Sequence, residues 1–192
     1  MLRYCLSAAL ALAGAASPAF AQDPGPNAEA PAEFTGFKLE GIAGYDEGFV
    51  YGVGAGYDRQ LGRLVVGVEG EAADSTDREC LDGAFEPGDR YCSSSSRNLY
   101  VGGRLGFAVA PRTLIYGKVG YTNQRLKADY TAGPVTTTGS FSATGKLDGI
   151  RLGAGLEQKL GGSAYVKGEY RYSDYENGAR KHDGVVGVGL RF

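Results

Sequence analysis

From Phe34 to Phe192 polar and apolar residues alternate with a period of two, the spacing at which successive side chains of a β-strand point to opposite faces. Phe37, Leu39, Gly41, Ala43 and Tyr45 alternate with Lys38, Glu40 and Gly44, and Phe49, Tyr51, Val53, Ala55 and Tyr57 with Gly52, Gly54, Gly56 and Asp58. Leu64, Val66 and Val68 oppose Gly67, Glu69 and Glu71. Leu99, Val101, Leu105 and Phe107 oppose Gly102, Arg104 and Gly106, and Ile115, Val119 and Tyr121 oppose Tyr116 and Lys118. The pattern returns in Ile150, Leu152, Ala154 and Leu156 against Arg151, Gly153 and Glu157, then in Ala164, Val166, Tyr170 and Tyr172 against Lys167, Glu169 and Arg171. A last run sets Val186, Val188, Leu190 and Phe192 against Gly187, Gly189 and Arg191. This reading predicts eight strands of about nine to twelve residues, the length a tilted strand needs to cross a bilayer.

The connections alternate as well. Tight turns fall at Leu61-Gly62-Arg63, Ala110-Pro111-Arg112 and Leu160-Gly161-Gly162. The other links are Asp46-Glu47-Gly48 and longer polar segments near 73–96, 123–146 and 173–182. A turn every fifty residues or so also suits a propeller, but each period here holds two long strands where a blade needs four short ones. Short turns at one end and long loops at the other predict an all-β, eight-stranded, antiparallel, up-and-down transmembrane barrel.

Alternation alone does not say which face is wet, because a soluble barrel of lipocalin type is apolar inside and a membrane barrel is the reverse. Composition changes the picture. Gly accounts for 32 of 192 residues, and it shares its face with charges of both signs. Small residues beside long charged ones suit an eight-stranded barrel, whose interior is just wide enough to be filled by side chains. The charges on that face are Lys38, Arg104, Lys118, Arg151, Lys159, Lys167, Arg171 and Arg191 against Glu40, Glu69, Glu71, Glu157 and Glu169. Near balance is what a buried, salt-bridged lumen requires. The soluble reading takes the same charges as a solvated outer face. A net charge of −2 excludes a polycation for nucleic acid, and a mean hydropathy of −0.22 leaves no apolar run long enough for a membrane helix beyond the N-terminus.

That N-terminus reads as an address. Arg3, the apolar run Leu6–Ala16 and Ala19-Phe20-Ala21 form a signal peptide over residues 1–21, with cleavage expected after Ala21. Residues 22–33 are rich in Pro and Ala and read as a flexible periplasmic leader, and 34–192 as the barrel. Cys5 precedes the apolar run, so it is no lipoprotein cysteine, and it leaves with the signal. Cys80 and Cys92 remain in an oxidising compartment and are expected to form one disulfide.

The segment Asp148–Tyr175 (DGIRLGAGLEQKLGGSAYVKGEYRYSDY), with its G-x-G-x-E and K-G-E-Y-R-Y-S-D-Y elements, and the ending VVGVGLRF resemble the small outer-membrane β-barrel proteins of Gram-negative bacteria. These are the opacity-protein-like or porin-family barrels, similar in architecture to the transmembrane domain of outer-membrane protein A. The resemblance implies a monomeric barrel in contact with outer-membrane lipid and lipopolysaccharide, inserted by the outer-membrane assembly machinery through its C-terminal aromatic, here Phe192. The chain departs from the pattern in having no Trp for the interfacial girdles, which leaves them to Tyr and Phe.

Little material for chemistry is present: one His, one Met and three Cys. A lipid A deacylase is the enzymatic competitor, and it needs a His, Ser and Glu cluster. His182, Ser173 and Glu176 are the candidates, but the family's H-x-S pairing is missing, since Asp183-Gly184 follows the histidine. The alternating glycines at 52, 54 and 56 precede no helix and read as barrel packing rather than a phosphate loop. The loop Ala73–Ser96 is acidic and holds both cysteines, a surface suited to divalent cations bridging lipopolysaccharide or to a protein partner. Thr131–Gly145 reads as a mobile loop. No catalytic residue, cofactor or metal is expected. The leading expectation is a non-enzymatic barrel with a filled lumen that serves envelope integrity and surface contacts, and the alternative is a narrow pore for ions or very small solutes.

Overall fold

The computed structural model describes residues 33–45, 48–134 and 139–192, the side chain of Asn177 excepted. The expected signal peptide, almost all of the leader and the Asp46-Glu47 part of one link lie outside the described residues. The strands are β1 (Gly36–Tyr45), β2 (Phe49–Leu61), β3 (Leu64–Ser75), β4 (Arg78–Asp82), β5 (Arg90–Ala110), β6 (Thr113–Thr131), β7 (Phe141–Gly161), β8 (Ala164–Tyr175) and β9 (Arg180–Arg191). Eight of them pair antiparallel in chain order, with β3 meeting β5 and β9 returning to β1, so the sheet closes into a ring without a free edge. The ninth, β4, sits outside the ring and pairs only with the upper part of β5.

At the seam the Phe37 and Phe192 backbones exchange both hydrogen bonds, at 2.8 and 3.1 Å. Gly36 is required beside it: its φ is +134°, and a Cβ there would lie 1.9 Å from the Phe192 carbonyl oxygen.

The ring is apolar outside and charged inside. Phe37 is 67 % exposed, Val53 63 % and Val188 64 %, whereas Lys38 is 1 % exposed and Glu157 fully buried. A soluble barrel has the opposite arrangement. Tyr and Phe ring the outer wall at two levels: Phe37, Tyr57, Phe107 and Phe192 near the short turns, and Tyr45, Phe49, Tyr121 and Tyr170 near the long connections. Phe37 and Tyr57 meet edge to face at 4.9 Å.

Two segments expected as loops are largely strand. Arg78–Asp82 and Arg90–Ser96 lie in β4 and β5, and Phe141–Gly145 extends β7 against Leu126–Tyr130 of β6. These strands rise beyond the ring as a four-stranded blade, β4-β5-β6-β7, about 24 Å tall from Gln124 to Thr131. The blade buries only scattered residues such as Cys92 and Tyr130 and needs no sustained apolar alternation, so Ser93-Ser94-Ser95-Ser96 gives no strand signal. A bulge at Ser96-Arg97 re-aims β5 where the blade leaves the ring. His182, expected in the last loop, is a β9 residue paired with Tyr172.

Candidate functional site

Among the described residues seven cations and seven carboxylates are buried within the ring. The cations are Lys38, Arg104, Lys118, Arg151, Lys167, Arg171 and Arg191, and the acids Glu40, Asp58, Glu69, Glu71, Glu157, Glu169 and, at the upper rim, Asp183. Each projects from an inward position of its strand, and the ring is narrow enough for side chains from opposite walls to touch. Lys118 on β6 is the hub: its ammonium lies 2.9 Å from Glu69, 2.8 Å from Glu71 and 2.7 Å from Glu169. Arg171 holds Glu71 at 2.8 Å and also contacts Glu169, while Lys167 reaches Glu40 at 2.5 Å and Lys38 reaches Glu69 at 2.5 Å. Nearer the short turns, Glu157 is clasped by Arg104 at 2.9 Å and Arg191 at 2.7 Å. Arg191 also lies 2.9 Å from Asp58 and Arg104 3.7 Å from it, contacts that are ionic without the alignment of a hydrogen bond.

Arg104 approaches Glu69 at 3.6 Å, whereas Glu71 answers to Lys118, Arg171 and, at 3.7 Å, Arg151. Arg151 belongs to the upper rim, where it donates to Ser173 and Asn98, each at 2.9 Å. Lys159, grouped with the interior charges in the sequence, sits at the short-turn end and pairs with Glu33 at 2.6 Å. That ion pair, hydrogen bond and attraction together, holds the Glu33 carboxyl below the usual glutamate range.

Three tyrosines complete the filling. Tyr116 and Tyr165 donate to Glu169 and Glu40 at 2.7 and 2.8 Å, and the Arg104 guanidinium lies 4.0 Å over the Tyr116 ring. Tyr116 folds across Gly155, where a Cβ would come within 2.7 Å of its hydroxyl, so a larger residue there displaces the ring from the network. Tyr100 lies under the Lys118 ammonium at 4.6 Å.

Apolar clusters pack against this network at its two ends, and at the upper one Arg151, Arg171 and Asp183 line a small cavity with Val50 and Ala73. At the short-turn end Phe34 is fully buried with Val65, Ala108, Leu114 and Tyr116, and Arg191 donates to its carbonyl at 2.7 Å. At the other end Ile42, Ala73 and Val185 pack together with Val50 against them.

Among the described residues Glu69, Glu71 and Glu169 are the one group of three potential metal ligands gathered within 4.8 Å of one another. The Lys118 ammonium already occupies the point where their oxygens converge, and it supplies the positive charge a metal would otherwise bring. Ser173, His182 and Glu176 are not brought together. Ser173 is buried inside on Arg151, His182 projects outward onto the Tyr170 hydroxyl, and Glu176 lies in a short 3-10 turn.

On the blade Cys80 and Cys92 are directly paired and joined as a disulfide. The acids of this segment are locally engaged: Asp82 pairs with Arg90 at 3.0 Å, and Asp89 accepts from the backbone N–H groups of Phe85 and Glu86 at 3.1 and 2.9 Å. The covering of Asp89 by its own loop works to raise its carboxyl, but these backbone donors outweigh that and hold it below the ordinary value of 3.8. Phe85 folds over Tyr91 and Tyr130, and Tyr130 stacks on Phe141.

Residues 7–192 match the family described as the outer membrane protein beta-barrel domain. A 22 kDa outer membrane protein of Rhizobium leguminosarum bv. viciae is 29 % identical over 180 residues, covering 82 % of this chain and 77 % of that one. A 31 kDa outer-membrane immunogenic protein of Brucella melitensis is 28 % identical over 133 residues, 66 % of this chain and 54 % of the relative, so the chain spans about half of that protein. Among solved structures, Ail of Yersinia pestis, in complex with the heparin analogue sucrose octasulfate, superposes with a TM-score of 0.53 at 18 % identity over 82 % of this chain and 99 % of Ail. The N-terminal β-barrel domain of Pseudomonas aeruginosa OprF gives 0.58 at 14 % over 82 % and 98 %. At these identities the two structures speak to the fold.

Proposed function

The chain belongs to the outer-membrane protein β-barrel family of Gram-negative bacteria, and from that premise we propose that it is a closed, non-catalytic barrel. It contributes to the integrity of the outer membrane and meets the outside through its blade and loops. The observation that carries this reading is the continuous ion-pair network from Arg191 and Glu157 through Arg104, Glu69 and Lys118 to Glu71 and Arg171, with an apolar cluster at each end. A path for ions through it would have to part charges held in a low-dielectric interior, where an unpaired ion costs several kcal/mol. The barrel inserts as a monomer with the help of the outer-membrane assembly machinery, and its neighbours are lipid and lipopolysaccharide. Single-channel recording of the refolded protein in planar bilayers tests the reading. Flat traces over the voltage range are expected, and discrete steps in the wild-type protein would replace it with the narrow-pore alternative.

A further inference from the structure

Directly above the upper aromatic level, the outer wall of β5, β6 and β7 changes character. On β6 the outward positions run Tyr121, Asn123, Arg125, Lys127, as Thr122 and Gln124 between them are buried inward. On β7 the same wall runs Ile150, Asp148, Lys146, Thr144. Register places Arg125 directly opposite Lys146, and sets Arg78 of β4 and Lys127 of β6 on either side of Ser94.

Two like charges directly opposite in a sheet repel and destabilise it. Here no ion pair offsets them among the described residues, and Lys146 feels only the more distant attraction of Asp148 on its own strand. The carboxylate below them, Asp148, is already taken by Asn123 at 2.6 Å and by Tyr121. The next acid on this wall of β6, Asp129, lies beyond Lys127. The Arg125 Nε is itself shielded from solvent without a hydrogen-bond partner. An arginine with an unused donor, held against a lysine at the height where apolar wall gives way to water, is a site lacking its anion.

We propose that Arg125, Lys127 and Lys146, flanked by Arg78, bind the phosphate of an outer-leaflet lipid headgroup lying along the outer wall of the barrel. The inference rests on the membrane placement above and adds to it a partner chemistry and a position. A lipid is favoured over a free anion because Tyr121, Ile150 and Leu152 continue the same wall downward as an apolar track for an acyl chain. It also differs from what the acidic character of Ala73–Ser96 suggested, since contact with a phosphorylated lipid here is direct and needs no bridging divalent cation.

The test uses the full mature chain refolded into vesicles of zwitterionic phospholipid. The probes are a diphosphorylated lipid A, the same glycolipid stripped of its phosphates, and inorganic phosphate. Wild-type protein is expected to bind the phosphorylated glycolipid at least about tenfold more tightly than the stripped one, with affinity falling as salt rises. The triple substitution Arg125→Gln, Lys127→Gln, Lys146→Gln is expected to remove that preference. Lys146→Glu supplies a second variant with a signature that loss of folding does not mimic. A carboxylate opposite Arg125 should raise the unfolding midpoint in zwitterionic lipid while weakening binding of the phosphorylated glycolipid. Equal binding of the two glycolipids, or a triple variant that binds as the wild type does, would overturn the proposal. Inorganic phosphate competing at a concentration similar to the glycolipid's would overturn the lipid assignment in favour of a free-anion site. Protein that fails to enter vesicles at all removes the membrane placement and this proposal together, whereas a barrel that inserts without phosphate preference removes the proposal alone.

Discussion

Lys118 and Arg104 occupy neighbouring inward positions, paired in register across β5 and β6, yet their loss has different consequences. Lys118→Met removes the one cation shared by Glu69, Glu71 and Glu169 and leaves the three carboxylates converging with no charge between them, although Lys38 stays on Glu69 and Arg171 on Glu71 and Glu169. Arg104→Ala leaves Glu157 and Asp58 with Arg191 and Glu69 with Lys38 and Lys118. Breaking a buried ion pair by deleting one partner costs ~3–5 kcal/mol. Urea unfolding in detergent micelles should show Lys118→Met at or above the top of that range and Arg104→Ala below it. Equal losses would mean that the carboxylates repack without their hub. The inward lysines, arginines and glutamates were legible from alternation, since charge at every second position of an otherwise apolar strand marks one face. Their pairings were not. Arg104 meets Glu157 across 53 residues and Arg171 meets Glu71 across 100, distances over which a single sequence carries no register information. Asp58 was legible as an inward residue but not as an ion partner, and Phe34 carried no sign of its burial beyond being an aromatic just ahead of the first strand.

The blade is the element least visible in the sequence, because its runs of serine, threonine and glycine bury only scattered residues such as Cys92 and Tyr130 and leave no period to read. Its cohesion comes from backbone ladders, the Cys80–Cys92 bridge and the packing of Phe85 on Tyr91 and Tyr130. A disulfide closing so short a loop stabilises by roughly 3 kcal/mol in the chain-entropy account. That stabilisation belongs to the blade, since β4 makes no ladder with any ring strand below the blade. Reduction is therefore expected to accelerate hydrogen exchange over residues 78–94 and to leave 98–110 unchanged, and loss of protection in both would show the blade and ring to be one cooperative unit. Asp89 gives the same element a pH dependence. Its folded-state carboxyl titrates below the unfolded one, so its support is complete above the unfolded value and fades as pH falls through the folded value. Exchange at the Phe85 and Glu86 amides should rise on acidification below about pH 4 relative to the intrinsic rate, and Asp89→Asn should show the raised level already at neutral pH.

For the whole molecule the sequence resolved the architecture well, because strand length, turn spacing and the Gly-plus-charge face all point to one inverted barrel, and neither the blade nor the interior pairings alter it. Phe192 matters at this scale. Its side chain is 66 % exposed on the lipid side, while its backbone closes the ladder with Phe37. Deleting it removes two backbone hydrogen bonds and one interfacial aromatic but no interior contact. We expect less protein in the outer membrane of cells, with refolding in micelles retained at a modest loss of stability. A deletion that abolishes refolding even in micelles would assign Phe192 a packing role instead. The Phe37–Phe192 ladder has another consequence, for the order of events in folding. Every other ladder of the ring joins strands that follow one another in the chain, with β4 the one strand set aside, so hairpins can zip locally at little entropic cost. Only β1 and β9 must find each other across the whole length of the barrel, and that search belongs late in folding. The half-built state is then a curved sheet with its charges exposed along a trough, wettable on one side and greasy on the other. Such a sheet can lie at a membrane surface until its two ends meet, so insertion and closure become a single step rather than two.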